Sequence, residues 1–357
     1  MLAWWGATGA GAQVAVPGAA PPPGSPPPAA PAAWALVDMD TGAVLDGADL
    51  HTPRHPASTI KLLTAVIALE QLDPAAGVAI SPLAEGMPAR KMNMKAGQTW
   101  TFVDSLHALL IVSANDAAVA LAEAVGGGSL DGWEAVAART AEHLGMADSP
   151  AILDPAGLDD EFSHEGGSLV SARDLAIAAR AAWARPEVRE IVVKRTYEFA
   201  PGGDGLPHRL VNHNRFLDLY EGANGLKTGY TERAGYCLVA TATRGGRTML
   251  VVELDAPDPY AFAGWAMDRG FATPVADQAG LDHLPAVVAG ASEATTTTAA
   301  TPVPRAPTVG RAAPAGAVAE GGGRWGDSTP VSVAILVLGG APALLVVRRR
   351  ATAGAGG

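Results

Sequence analysis

The β-rich runs of this chain occur at two places, and more than a hundred residues of helical pattern separate them. The first, WALVDMDTGAVLDG, reads as two short strands around Asp40-Thr41-Gly42, where glycine's access to positive φ suits a hairpin turn. The second set is GLKTGYT, GYCLVATAT and RTMLVVELD, the last two joined by Arg244-Gly245-Gly246. Strands linked so closely pair antiparallel, so the first hairpin is expected to close onto the last strands. The chain between must therefore leave the sheet and return to it. Periodicity there predicts helices over 58–72, 102–112, 115–125, 131–144 and 171–183, with a final helix near 258–269. Thr101 with Asp104 forms a capping-box start, and Gly126 to Gly128 stop the helix that ends at Val125. The expected class is α+β: a five-stranded antiparallel sheet flanked by helices, plus an all-helical lobe, with a cleft between them.

This globular part is expected over 33–285. Residues 1–32 combine a weak signal-like start, without Lys or Arg before the first prolines, with an Ala/Pro-rich stretch that favours extended chain. Residues 286–327 read as a low-complexity linker. Residues 328–347 hold 20 residues without a charge, and Arg348, Arg349 and Arg350 follow at once. About 20 apolar residues span a bilayer as helix, and basic flanks stay on the cytoplasmic side. Residues 328–347 are thus expected to be a single transmembrane helix and 348–357 a short cytoplasmic tail. That orientation places the globular part outside the cytoplasm, held to the cell membrane. The net charge of −11 argues against nucleic acid as a partner. The single cysteine, Cys237, excludes an intrachain disulfide and reads as a small packed hydrophobe.

The chemistry begins in PASTIKLLTA. Lys61 is the one charge in an otherwise apolar helical run, where burial disfavours the ammonium and lowers its pKa. Ser58 stands three residues before it, on the same helix face at roughly 5–6 Å between Cβ atoms. Serine is a weak nucleophile that needs a base within reach, and a neutral lysine can be that base. Ser113 and Asn115 lie at a break between two apolar helices, a position that also suits a helix cap. Lys227, Thr228 and Gly229 lie in a strand-like run, where a glycine often marks the close approach of a ligand or of backbone. His51 and His55 have metal-like spacing, but Pro53 and Pro56 forbid the helix that would align them. No metal and no cofactor is predicted.

Together, Ser-x-x-Lys at a helix start, Ser-x-Asn between helices and Lys-Thr-Gly on a strand resemble the penicillin-recognising serine enzymes. Among these the chain resembles the D-alanyl-D-alanine carboxypeptidases of the low-molecular-mass penicillin-binding proteins. The resemblance runs over roughly 33–275 and includes ARKMNMKAGQTWT, DPAGLDDEFS, SARDLA and NHNRFL. Ala114 stands where many relatives carry Asp. The resemblance implies a β-lactamase/transpeptidase-like fold and a serine carboxypeptidase of cell-wall maturation. Such an enzyme removes the terminal D-alanine of peptidoglycan stem peptides through an acyl-enzyme on Ser58. It further implies Lys61 as base, Ser113 as proton relay, Asn115 as partner of the substrate amide, and Lys227 with Thr228 as partners of the terminal carboxylate. The backbone N–H groups of Ser58 and Tyr230 would form the oxyanion hole, and Gly229 would leave room for substrate along the strand. Lys227 would further depress the pKa of Lys61, and Arg233 could assist at the carboxylate. β-Lactams would be covalent inhibitors. The alternatives are a β-lactamase of the same fold, with Asp159, Asp160 and Glu161 in a suitable loop but no Glu-xx-Leu-Asn pattern, and an inactive relative that binds cell-wall peptides.

Overall fold

The hairpin closes as the sequence requires. The computed structural model describes residues 27–287; most of the N-terminal segment, the linker beyond 287, the expected transmembrane helix and the tail lie outside the described residues. In chain order the first elements are β1 (Ala33–Asp38), β2 (Val44–Ala48), α1 (Lys61–Gln71), β3 (Gly77–Ala79), α2 (Pro82–Gly86) and β4 (Thr99–Thr101). Helices follow: α3 (Phe102–Ile111), α4 (Asn115–Val125), α5 (Leu130–Leu144), α6 (Ala172–Ala184) and α7 (Pro186–Val192). The chain then forms β5 (Thr196–Phe199), β6 (His208–Val211), α8 (Phe216–Leu219), β7 (Ala223–Thr231), β8 (Gly235–Arg244), β9 (Arg247–Ala256) and α9 (Pro259–Ala272).

The main sheet has the order β2-β1-β9-β8-β7, and every pairing in it is antiparallel. β1 runs against β9 in continuous register from Ala33–Leu254 to Asp38–Met249, which joins the two ends of the globular sequence. Both faces of the central strands are covered. Val37, Val239 and Val252 face the large helical core, whereas Leu36, Leu238 and Val251 pack towards α9. Two buried faces remove the polar half of the alternation, so β8 and β9 read as nearly continuous apolar runs. Cys237 is 1% exposed within this core, as its apolar context requires. α1 is buried on all sides from Lys61 to Ala68 and forms the centre of the helical packing.

The expected helix over 58–72 divides in two. Ala57–Ile60 is a 3₁₀ turn, and α1 begins only at Lys61. Ala57 has φ +48°, and the Thr59 hydroxyl donates to the Pro56 carbonyl at 2.6 Å, so the first turn tightens. In 3₁₀ geometry side chains i and i+3 eclipse, which sets Ser58 directly against Lys61. Other boundaries agree with the sequence signals: α3 starts at a Thr101 cap whose Oγ1 accepts from Asp104 N at 3.0 Å, and α4 ends at Val125 before Gly126. The two-stranded ribbons β3–β4 and β5–β6 were not expected, because strands of three or four residues carry no readable period.

At the hairpin corner a buried ion pair ties the sheet to the end of the globular part. Asp38, fully buried, accepts from Arg247 Nε at 2.8 Å and from Gln278 Nε2 at 2.8 Å. Burial alone would push this carboxyl up, yet the Gln278 and Arg247 bonds together hold it below its ordinary 3.8. A depressed folded-state pKa adds stability that is complete above the unfolded value and is lost as pH falls through the folded one. Removing one partner of a buried pair leaves an uncompensated charge, so Arg247→Met should destabilise the protein by about 3 kcal/mol at neutral pH. The loss should shrink as pH falls below about 3.8, and urea unfolding at both pH values measures it. Equal midpoints for Arg247→Met and wild type at pH 7 would contradict this account.

Candidate active site

The Ser58 turn is clamped between two segments distant in sequence. A Cβ placed on Gly157 would lie 1.9 Å from the Ala57 carbonyl oxygen, so the loop that follows Asp154 is seated directly on the turn. On the other side, a Cβ on Gly229 would lie 2.8 Å from the Ser58 nitrogen and 2.9 Å from the Ala57 Cβ. The close approach that demands glycine at this position of β7 is that of the Ser58 turn. Ala57 at φ +48° and Ser113 at φ +62° are both held in the left-handed region, where non-glycine residues are strained. Such strain persists only where surrounding packing enforces it, and it concentrates at functional sites.

Lys61 is fully buried, and its Nζ has three oxygen neighbours: Ser58 Oγ at 2.8 Å, Asn115 Oδ1 at 2.8 Å and the Ala156 carbonyl at 2.5 Å. The Asn115 amide is oriented by its Nδ2, which donates to the Pro88 carbonyl at 3.2 Å. Asn115 Oδ1 and the Ala156 carbonyl can only accept, whereas the Ser58 hydroxyl can also donate. A neutral amine has two N–H donors and one lone pair. It satisfies all three neighbours by accepting from Ser58, whereas an ammonium does so by donating to each. Burial pulls the Lys61 pKa down to about 7, with the Arg90 charge adding to the effect and Asp154 and Asp116 opposing it. Lys227 is likewise pulled well below its ordinary value, first by burial and then by the charges of Lys61 and Arg90. Repulsion between the two buried lysines is mutual, so a proton on either disfavours a proton on the other.

Two buried aspartates that the sequence did not single out hold this geometry. Asp154 accepts from Ala156 N at 2.8 Å, Leu158 N at 3.0 Å and His164 N at 2.9 Å, and so shapes the loop that brings the Ala156 carbonyl to Lys61. Asp116 accepts from Met92 N at 3.0 Å and Met94 N at 3.1 Å, which fixes the strand-like segment beside Ser113 and Asn115. Asp154 had a readable signal, since Asp-Pro-Ala-Gly is turn chemistry in which an aspartate accepts from the following N–H groups.

A cleft of about 270 Å³ opens over Ser58, and Ser113, Asn115, Thr228, Gly229 and Tyr230 also line it. Lys227 belongs to the same β7 segment but lies beneath that surface, 3% exposed, with Nζ donating to the Thr228 carbonyl at 2.9 Å. All eight residues expected at the site are therefore gathered around one cleft, with Lys61 and Lys227 under its floor. Arg233 is exposed beyond β7 and does not line the cleft; the arginine that does is Arg90. Asp159, weighed as a deacylation carboxylate, accepts from the Thr231 hydroxyl at 2.5 Å. His51 meets Asp148 at 3.0 Å and His55 meets the Ser168 carbonyl at 3.1 Å, so neither ring faces the other as a metal pair would.

A buried lysine of lowered pKa against a serine, under a lysine-threonine-glycine strand, defines a serine hydrolase of the penicillin-recognising fold. Residues 22–258 match the D-alanyl-D-alanine carboxypeptidase family, and the chain belongs to that family. It is 36% identical over 246 residues to D-alanyl-D-alanine carboxypeptidase DacB2 of Mycobacterium tuberculosis, covering 67% of this chain and 81% of that protein. Against D-alanyl-D-alanine carboxypeptidase DacF of Bacillus subtilis it is 31% identical, and there it spans 57% of the relative's length. Among solved structures, a D-alanyl-D-alanine carboxypeptidase from Mycobacterium tuberculosis H37Rv superposes with a TM-score of 0.64 at 33% identity, covering 72% of this chain and 97% of that one. A mutant of a Streptomyces DD-transpeptidase superposes with a TM-score of 0.63 at 28% identity, covering 70% of this chain and 100% of that one.

If neutral Lys61 is the base, acylation of Ser58 should follow the loss of its proton. The second-order rate of labelled-penicillin acylation should rise tenfold per pH unit below about 7 and level off above it. At pH 6 it should be about a tenth of the plateau. A rate independent of pH between 5.5 and 8.5, measured under single-turnover conditions, would exclude Lys61 as the base.

Proposed function

We propose that this protein is a serine-type D-alanyl-D-alanine carboxypeptidase that trims the terminal D-alanine from peptidoglycan stem peptides. The observation that carries the chemistry is the fully buried Lys61 amine, 2.8 Å from Ser58 Oγ, with its pKa pulled down to about 7 by burial. Membership of the D-alanyl-D-alanine carboxypeptidase family supports the substrate class.

In this reading Lys61 takes the hydroxyl proton as Ser58 Oγ attacks the carbonyl of the penultimate D-alanine. The developing oxyanion is met by the backbone N–H groups of Ser58 and Tyr230, where loss of one donor typically costs about 10²–10³ in kcat. The scissile C–N bond breaks as Ser113 passes the proton from Lys61 to the leaving amine, and D-alanine departs. Water then attacks the ester, Lys61 takes its proton, and as the ester C–O bond breaks Lys61 returns that proton to Ser58 Oγ. Asn115 holds both Lys61 and the substrate amide. Lys227 and Thr228 recognise the terminal carboxylate, the lysine from below through charge and the threonine at the surface. A carboxylate bound there favours the protonated form of Lys227, and its charge in turn helps keep Lys61 neutral. β-Lactams acylate the same serine.

The wild-type protein should release free D-alanine from a peptide ending in D-Ala-D-Ala. Ser58→Ala should abolish that release together with labelling by a fluorescent penicillin, and Lys61→Ala should slow both by at least about 10². Undiminished labelling of Ser58→Ala would refute the mechanism. Rapid, sustained nitrocefin turnover without D-alanine release would replace the proposal with a β-lactamase.

We further propose that the catalytic part, 33–285, works outside the cytoplasm, connected by the 286–327 linker to a membrane anchor at 328–347. The support is the 20-residue uncharged stretch followed by three arginines. Among the described residues no helix is long and apolar enough to cross a membrane. A chain ending after residue 327 should partition into the soluble fraction with its penicillin labelling retained, whereas the full chain sediments with membranes. Equal partitioning of the two would dismiss the anchor.

A further inference from the structure

The cations nearest the proposed carboxylate site are arranged unexpectedly. Lys227 is 3% exposed and bonded to the Thr228 carbonyl, and Lys61 is spoken for by three oxygens. Arg90 is the arginine whose side chain lines the cleft, and His213 lines it beside Arg90. No carboxylate side chain lines this cleft, and Arg90 has no ion-pair partner among the described residues. A guanidinium on the wall of a cleft, with no acid among the lining residues, has the chemistry to bind an anion.

The partner of Arg90 is fixed in a definite form. Arg90 Nη1 lies 2.5 Å from His213 Nδ1. A guanidinium can only donate, so Nδ1 accepts and the ring proton is carried on Nε2. Partial desolvation, with the Arg90 and Lys227 charges, holds His213 below its ordinary 6.5 and therefore neutral near pH 7. The histidine thus braces the guanidinium without competing for its charge, and it leaves one neutral N–H as a further donor.

The backbone around Arg90 is held as firmly. Its carbonyl accepts from Asn115 N at 2.7 Å, and Asp116 ties down Met92 and Met94 just beyond it. Arg90 is therefore coupled to the Ser113-Ala114-Asn115 turn and not to β7. We propose that Arg90, braced by His213, is a specificity-determining residue that binds a free carboxylate of the substrate from the helical-lobe wall of the cleft, opposite Thr228. The consequence is selectivity for a chain end. A peptide whose terminal carboxyl is capped or continued would meet the guanidinium without offering it a charge, so the pair favours removal of a terminal residue over cleavage within a chain.

The inference rests on the carboxypeptidase reading, and its test separates the two. For wild type and Arg90→Gln, kcat/KM is compared between an acyl-D-Ala-D-Ala peptide and the same peptide as its C-terminal carboxamide, by release of D-alanine or D-alaninamide. The preference for acid over amide should fall about tenfold or more in Arg90→Gln, mainly through KM, and Arg90→Lys should recover part of it. A preference unchanged in Arg90→Gln overturns the proposal. Acylation of Ser58 by a labelled penicillin and by its methyl ester makes the same comparison without D-alanine release. A wild type that acylates but frees no D-alanine thus refutes the carboxypeptidase reading while Arg90 is still judged. Histidine ¹⁵N NMR supplies an independent readout. Wild-type His213 should be neutral with its proton on Nε2, and should titrate at higher pH in Arg90→Gln; a proton on Nδ1 in the wild type would overturn the pairing.

Discussion

Everything at the site depends on a lysine that has lost its solvent. An ammonium removed from water is costly unless paired, and Lys61 has no carboxylate within ion-pair distance among the described residues. Its neighbours are a hydroxyl, an amide oxygen and a backbone carbonyl, three hydrogen-bond acceptors that supply no opposing charge. The surrounding aliphatic side chains of α1, whose burial stabilises the fold, are thus also what supplies a base near neutral pH. Asp154 and Asp116 limit the depression, so the lysine sits at about 7 rather than far lower. A base that titrates close to the working pH combines a useful neutral fraction with useful basicity.

Holding that lysine against its serine takes three segments that are remote in sequence. The Ser58 turn precedes α1, the Ala156 carbonyl arrives on a loop organised by Asp154, and Asn115 is the first residue of α4. β7 closes the remaining side, and it can do so because Gly229 has no side chain to strike the turn. The left-handed conformations at Ala57 and Ser113 are the local cost of this convergence, sustained by the packing of α1, α3 and α4 around them. The antiparallel closure of β1 onto β9 is what lets so much helix be inserted between the Ser58 turn and β7 while both remain beside each other.

Much of this was legible beforehand. The short links between strands implied an antiparallel sheet, and glycine and capping signals placed the ends of α3 and α4 within a residue or two. Lys61 stood out because a charge interrupts an apolar helical period. Asn115 was expected to serve substrate but also turned out to orient the base, a role visible only when Pro88 and Lys61 are found on either side of its amide. Gly229 was identified for the right physical reason, close approach, and the fold puts the Ser58 turn against it. Arg90 carried no local signal at all, because an arginine in a polar connecting segment looks like any solvated cation until the chain folds it against His213.

The sequence by itself determined the class of fold, the choice of Ser58 and Lys61 as the proposed nucleophile and base, and the family to which the chain belongs. Those properties follow from local pattern: period, turn chemistry and the spacing of three short motifs. Only the tertiary structure decided which cation faces the cleft, which carbonyl completes the lysine's shell and why β7 must carry a glycine opposite Ser58. Those are distances between segments separated by tens to hundreds of residues, and no local period or propensity encodes a distance until burial of the common core has brought the segments together.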